Sequence, residues 1–145
     1  MNRKKFIKSC GLACLGGALP MLLPGCSASS KMVGGKITGD DLVVDISDFE
    51  TKKGAYKNYL IVENEILSYP VCVYRFSENE YAAMFMRCTH QGTELQVFGD
   101  KLQCPAHGSE FNNRGIMQNG PASINLRTFP VTIENHQLKI SLKPA

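Results

Sequence analysis

From residue 41 onward, apolar and polar positions alternate with a period of two in short runs broken by turn-forming clusters. The runs "DLVVDISDF" (41–49), "NYLIVEN" (58–64), "YPVCVYRFS" (69–77) and "EYAAMFMRC" (80–88) are rich in β-branched and aromatic residues, as strands are. "ELQVFGDKLQC" sets Gly99 and Asp100 between two alternating runs and predicts a hairpin. "FPVTIENHQLKISL" predicts a second, with Glu134, Asn135 and His136 at its tip. Beyond the first 26 residues no stretch sustains a capped helical stripe. The pattern therefore predicts an all-β domain over 41–145, a small antiparallel sandwich or barrel of about eight to ten strands.

The first 40 residues follow a different pattern. Four cations (Arg3, Lys4, Lys5, Lys8) precede an acid-free apolar run from Gly11 to Leu23 broken only by Gly and Pro, which predicts a secretory signal over 1–25. It is too short and too interrupted for a spanning helix. "LLPGC" resembles the lipobox of bacterial lipoproteins, although Pro24 departs from its usual pattern. The resemblance implies lipid attachment at Cys26 and an exported chain anchored to a bacterial membrane, facing the periplasm or cell exterior. A plain cleaved signal and an uncleaved N-terminal anchor are the alternatives. "NRKKFIK" resembles the twin-arginine export motif with Lys4 in place of the second arginine, and is equally an ordinary basic leader. Residues 26–40, small, polar and glycine-rich, read as a flexible tether.

Removing the leader changes the charge picture. Residues 27–145 hold twelve Lys and Arg against thirteen Asp and Glu, so the apparent basicity belongs to the leader. No basic patch is interleaved with aromatics, which excludes a nucleic-acid partner from the expectations. Cys10, Cys14 and Cys26 also fall before residue 27, leaving Cys72, Cys88 and Cys104. Three cysteines make a poor disulfide framework for an exported domain. Cys72 and the alternating Met84 and Met86 read as buried strand residues, and His136 as a solvated turn residue.

The chemistry concentrates in "RCTHQGTELQVFGDKLQCPAHGSEF" (87–111), which contains two of the three histidines. Its pattern is Cys88-x-His90, thirteen residues, then Cys104-x-x-His107. Each pair follows a strand, and the intervening hairpin can bring the two loops face to face around a shared metal centre. Two Cys and two His could equally hold a structural zinc, although classical fingers space their ligands differently. Cys88 and Cys104 could also form an ordinary disulfide.

The stretch resembles the Rieske iron–sulfur family, with "CTHQG" and "CPAHGS" matching its two cluster-binding loops. The resemblance implies a [2Fe-2S] cluster with Cys88 and Cys104 on the inner iron and His90 and His107 on the outer. It also implies that Gly92 and Gly108 allow tight turns, that Ser109 donates to a cluster sulfur, and that Pro121 in "GPA" belongs to a covering proline loop. Many family members carry a further cysteine in each loop, joined as a disulfide; Thr93 and Ala106 occupy those positions here. Phe111 replaces a tyrosine that commonly donates to a ligand sulfur. These departures imply an intermediate potential within a class spanning roughly −150 to +300 mV.

By the same resemblance the chain is an electron carrier exchanging electrons with a redox protein: a cytochrome, a molybdenum enzyme for which it would be the small subunit, or a bc-type complex. The missing disulfide and the lipid-type anchor argue against the last. After His107 only His136 remains, too few histidines for the mononuclear iron site of a Rieske oxygenase, so no catalytic site of its own is expected. A structural or redox-sensing metal module is the rival.

Overall fold

The computed structural model describes residues 31–144, and the leader, Cys26 and the first part of the tether lie outside them. The described chain is all-β apart from a single 3-10 turn, as the alternation predicts. It holds three sheets. The middle one has five strands in the order β1 (Met32–Gly34), β4 (Tyr59–Glu63), β5 (Val71–Arg75), β6 (Tyr81–Phe85) and β11 (Thr128–Phe129). On one side of it lies a sheet ordered β12 (Val131–Glu134), β13 (Gln137–Ser141), β3 (Asp41–Asp45) and β2 (Lys36–Thr38). On the other lies a sheet ordered β10 (Met117–Asn119), β9 (Glu110–Asn112), β8 (Lys101–Gln103) and β7 (Gln96–Phe98).

The side-chain period of two gives the middle sheet two buried faces. Leu60 and Val62 of β4, Val71 and Val73 of β5 and Ala83 of β6 pack with Leu42, Val44, Leu138 and Ile140 in one core. The alternate residues, with Cys72, Tyr74 and Met84 at their centre, pack with Leu102, Phe111, Met86 and Leu95 in the other. Every residue from Val71 to Tyr74 is consequently buried, so β5 reads as a continuous apolar run where the outer strands alternate. Cys72, Met84 and Met86 are core residues, as expected, and burial pushes the Cys72 thiol far above its ordinary range, Lys31 offsetting this only in part.

Both predicted hairpins form. Val97 pairs with Leu102 across a Gly99–Asp100 turn, and Ile133 pairs with Leu138 across Asn135–His136. Asn135 and His136 have φ of 50° and 61°, the left-handed pair that a two-residue turn matched to strand twist requires. His136 is exposed there.

Three expectations need correction. The run 41–49 is a strand only to Asp45; a 3-10 turn at Ile46–Phe49 then swings Phe49 into the core. The described residues contain thirteen strands rather than eight to ten, because β9 and β10 follow the second cysteine loop and β1 and β2 lie in the segment expected to be tether. The folded body thus begins near residue 31, not 41.

Glycine in that segment serves close packing rather than flexibility. Gly35 is the single residue between β1, parallel to β4 at the edge of the middle sheet, and β2, antiparallel to β3 in the outer sheet. Its N–H donates to the Glu63 carbonyl at 2.9 Å, and its carbonyl accepts from Asn64 Nδ2 at 3.0 Å. A Cβ at Gly35 would lie 2.6 Å from both Leu42 and Val62, one fully buried side chain from each sheet. Gly35→Ala should therefore lower unfolding free energy by about 1–3 kcal/mol. Chemical denaturation checks this, and an unchanged midpoint would show that the two sheets can separate there.

Candidate metal centre

The segment from Cys88 to Thr93 joins β6 to β7, and that from Cys104 to Ser109 joins β8 to β9. The two have the same backbone frame. In the first, Cys88 N–H donates to the Thr93 carbonyl at 2.8 Å and Gly92 N–H donates to the Cys88 carbonyl at 2.9 Å. In the second, Cys104 N–H donates to the Ser109 carbonyl at 2.8 Å and Gly108 N–H to the Cys104 carbonyl at 2.9 Å. Each loop closes through a glycine four residues after its cysteine, Gly92 at φ 76° and Gly108 at φ 78°, a conformation that disfavours any side chain.

This frame sorts the four side chains by depth. Cys88 and Cys104 are buried among Met86, Leu95, Leu102 and Phe111, whereas His90 and His107 are exposed. The imidazoles stand edge to face with ring centroids 4.9 Å apart. The thiols are also neighbours, and none of Cys72, Cys88 and Cys104 forms a disulfide, so the disulfide alternative for Cys88 and Cys104 falls. Burial alone would raise the Cys104 thiol. The backbone N–H groups of His107 and Ala106, with donation from the Cys88 and Thr93 side chains, outweigh it and hold the thiol below its usual range. Such donors suit a sulfur that carries negative charge. Thr93 thus bridges the two loops by a hydrogen bond.

A third segment closes over the pair. Ser109, fully buried, accepts the Ala122 N–H at 2.9 Å through Oγ, tying the second loop to the segment containing cis Gly120–Pro121. The first loop is tied to the same segment by Thr89 Oγ1, which donates to the Ile124 carbonyl at 2.8 Å. From behind, the Tyr69 hydroxyl donates to the Gly92 carbonyl at 2.6 Å. Sequence reasoning missed Thr89 and Tyr69 as supports. Thr89 had a local signal, lying inside "CTHQG"; Tyr69 had none, because it meets Gly92 only through sheet pairing. Phe111 is fully buried behind the second loop and brings no hydroxyl there.

Two twin-turn loops, each following a strand, present a buried thiol under an exposed imidazole. The Rieske [2Fe-2S] domain model matches residues 31–130, and the chain belongs to that family, whose domain binds a [2Fe-2S] cluster. The matched range begins at β1, not at residue 41, in agreement with the fold. The chain is 36% identical over 76 residues to the oxygenase component of dicamba O-demethylase from Stenotrophomonas maltophilia, covering 46% of this chain and 22% of that protein. It is 33% identical over 87 residues to the cytochrome b6-f complex iron-sulfur subunit of Prochlorococcus marinus (strain NATL1A), covering 57% of this chain and 42% of that one. The chain spans less than half the length of either relative. Among solved structures, a complex of reduced oxygenase and oxidized ferredoxin in carbazole 1,9a-dioxygenase shares the fold, with a TM-score of 0.53 and 24% identity over 71% of this chain and 93% of that chain.

Ser109 offers the sharpest check on the clamp. Ser109→Ala leaves the buried Ala122 N–H without its acceptor, which should cost about 1–3 kcal/mol of unfolding free energy. Amide hydrogen exchange at Ala122 should rise selectively, and Ser109→Thr should restore protection. Unchanged exchange in the alanine variant would show that the clamp is not what holds the segment.

Proposed function

We propose that the chain is a one-electron carrier in which Cys88 and Cys104 hold the inner iron, and His90 and His107 the outer iron, of a [2Fe-2S] cluster. When bound, the cluster supplies a reversible one-electron couple, at a higher potential than all-cysteine ligation gives because neutral imidazoles replace anionic thiolates. The observation that carries the reading is the sorting by depth: two buried thiols, Cys104 under backbone donors, and two imidazoles side by side at the surface.

The residues around the pair divide the remaining work. Leu95, Leu102 and Phe111 exclude water from the thiols, which strengthens the donors aimed at them. Ser109 uses its oxygen to hold Ala122, leaving its proton for a sulfur acceptor, while Pro121 lies exposed in the covering segment. The exposed edges of His90 and His107 give electrons a route to a redox protein docked at this tip. We place that exchange outside the cytoplasm, with the chain held on a bacterial membrane through lipid on Cys26.

Electron paramagnetic resonance on the dithionite-reduced chain, with iron, sulfide and zinc analysis, tests the core of the proposal. The expected result is an anisotropic signal of low average g with two irons and two sulfides per chain. His107→Ser or Cys104→Ser should abolish it. A silent protein containing zinc and no sulfide would replace the carrier with a structural metal module. Labelling cells with a palmitate analogue tests the anchor: the unaltered chain should be marked and Cys26→Ser should not. Equal labelling of both would remove Cys26 as the site.

A further inference from the structure

The three segments that enclose the site, residues 88–93, 104–109 and 120–126, contain no Asp, Glu, Lys or Arg, and four charged residues border them. Glu110, after the second loop, pairs with Lys101 at 2.9 Å and accepts from Gln103 at 3.0 Å. Arg127, after the covering segment, donates to the Leu142 carbonyl at 3.0 Å and lies over the Phe129 ring. Arg87 and Glu94 flank the first loop and face each other across an isolated bridge at its base. Glu94 lines a cleft with Glu63, Glu65 and Ser68. Among the described residues, neither it nor Arg87 forms an ion pair.

Arg87 is set apart by its seat. A Cβ at Gly92 would lie 3.2 Å from Arg87 Nε and 3.3 Å from Nη2, so the guanidinium rests directly on the bare α-carbon of the residue that closes the first loop. Gly92 is gripped from both directions: its N–H donates to the Cys88 carbonyl at 2.9 Å, and its carbonyl accepts the Tyr69 hydroxyl at 2.6 Å. The Tyr69 ring, itself edge to face with Phe85, stands 6.0 Å from the guanidinium carbon. The backbone beneath is pinned as well, since Leu95 N–H donates to the Met86 carbonyl at 2.9 Å. Glycine at 92 thus meets two needs, the positive φ of the turn and the space that a side chain would take from the arginine.

Resting on the carrier reading above, we propose that Arg87 is a residue that sets the redox potential of this centre: an unpaired, fixed positive charge laid on the Cys88–His90 loop that favours the reduced cluster. Reduction adds one electron and hence one negative charge to the cluster, while the arginine neither gains nor loses a proton. A cation held nearby attracts the reduced form more than the oxidised form and so raises the midpoint potential. Arg87 is exposed, so salt screens part of its effect. The role belongs to the charge and not to the closure of the loop, which backbone hydrogen bonds already provide.

A charge ladder at position 87 separates charge from packing. Redox titration of the cluster-loaded full chain in nonionic detergent, at ~20 mM salt, should show Arg87→Met lowering the equilibrium constant for reduction about fivefold, or about 40 mV for one electron. Arg87→Glu should lower it by about the square of that factor, and Arg87→Lys should stay within about twofold of the unaltered chain. The offsets should shrink at ~500 mM salt. Amide hydrogen exchange at Gly92 in the metal-free chain should be the same across the series, because the loop frame does not depend on the guanidinium. Equal midpoints throughout, or a lysine variant displaced as far as the methionine variant, would overturn the role of the charge while leaving the carrier standing. Faster Gly92 exchange confined to the variants whose midpoint moves would make Arg87 a packing residue and overturn it too. An unaltered chain without the mixed-ligand resonance would overturn the carrier, and the role of Arg87 with it.

Discussion

Four successive residues of β5 are buried, Val71 and Val73 toward one core and Cys72 and Tyr74 toward the other, and this two-sided burial organises the domain. A strand with no solvent face obliges its sheet to be covered on both sides, so each outer sheet has a place to dock. One cover, built from β3, β13 and their neighbours, completes a sandwich. The other carries the two cysteine loops, and its core is shared with the middle sheet through Cys72, Tyr74 and Met84. The metal centre therefore sits on packing that cannot loosen without exposing β5.

Rigidity then passes outward through hydrogen bonds. Each loop is closed by its own glycine N–H on its cysteine carbonyl, Tyr69 holds the first loop from behind, and Ser109 and Thr89 hold the covering segment from either side. The deep Cys104 thiol gains donors that favour its anionic form. The shallow imidazoles gain a fixed platform, because no element of the tip is free to reorganise around them. For a carrier this economy of motion matters, since every rearrangement that accompanies an electron adds to the barrier for its transfer.

Much of this was legible in the chain. Period-two alternation marked β3 to β6 and the two hairpins, and the spacing of Cys88, His90, Cys104 and His107 marked the site. The parts that escaped share a physical cause: they depend on contacts distant in sequence. β1 and β2 hide in a glycine-rich segment because Gly35 is required by side chains at 42 and 62, and no local pattern distinguishes that need from flexibility. β9 and β10 are three residues each, too short to show a period. Tyr69 contacts Gly92 across sheets, and Phe49 reaches the core through a turn interrupting what reads as strand.

The early start of the fold has a geometric consequence for an anchored chain. If lipid holds Cys26, only residues 26–30 lie between the bilayer and the described body. Fully extended, five residues span at most about 18 Å. On such an anchor, a leash that short would keep the body close to the lipid headgroups rather than let it swing between distant stations. Electron exchange would then be a two-dimensional encounter.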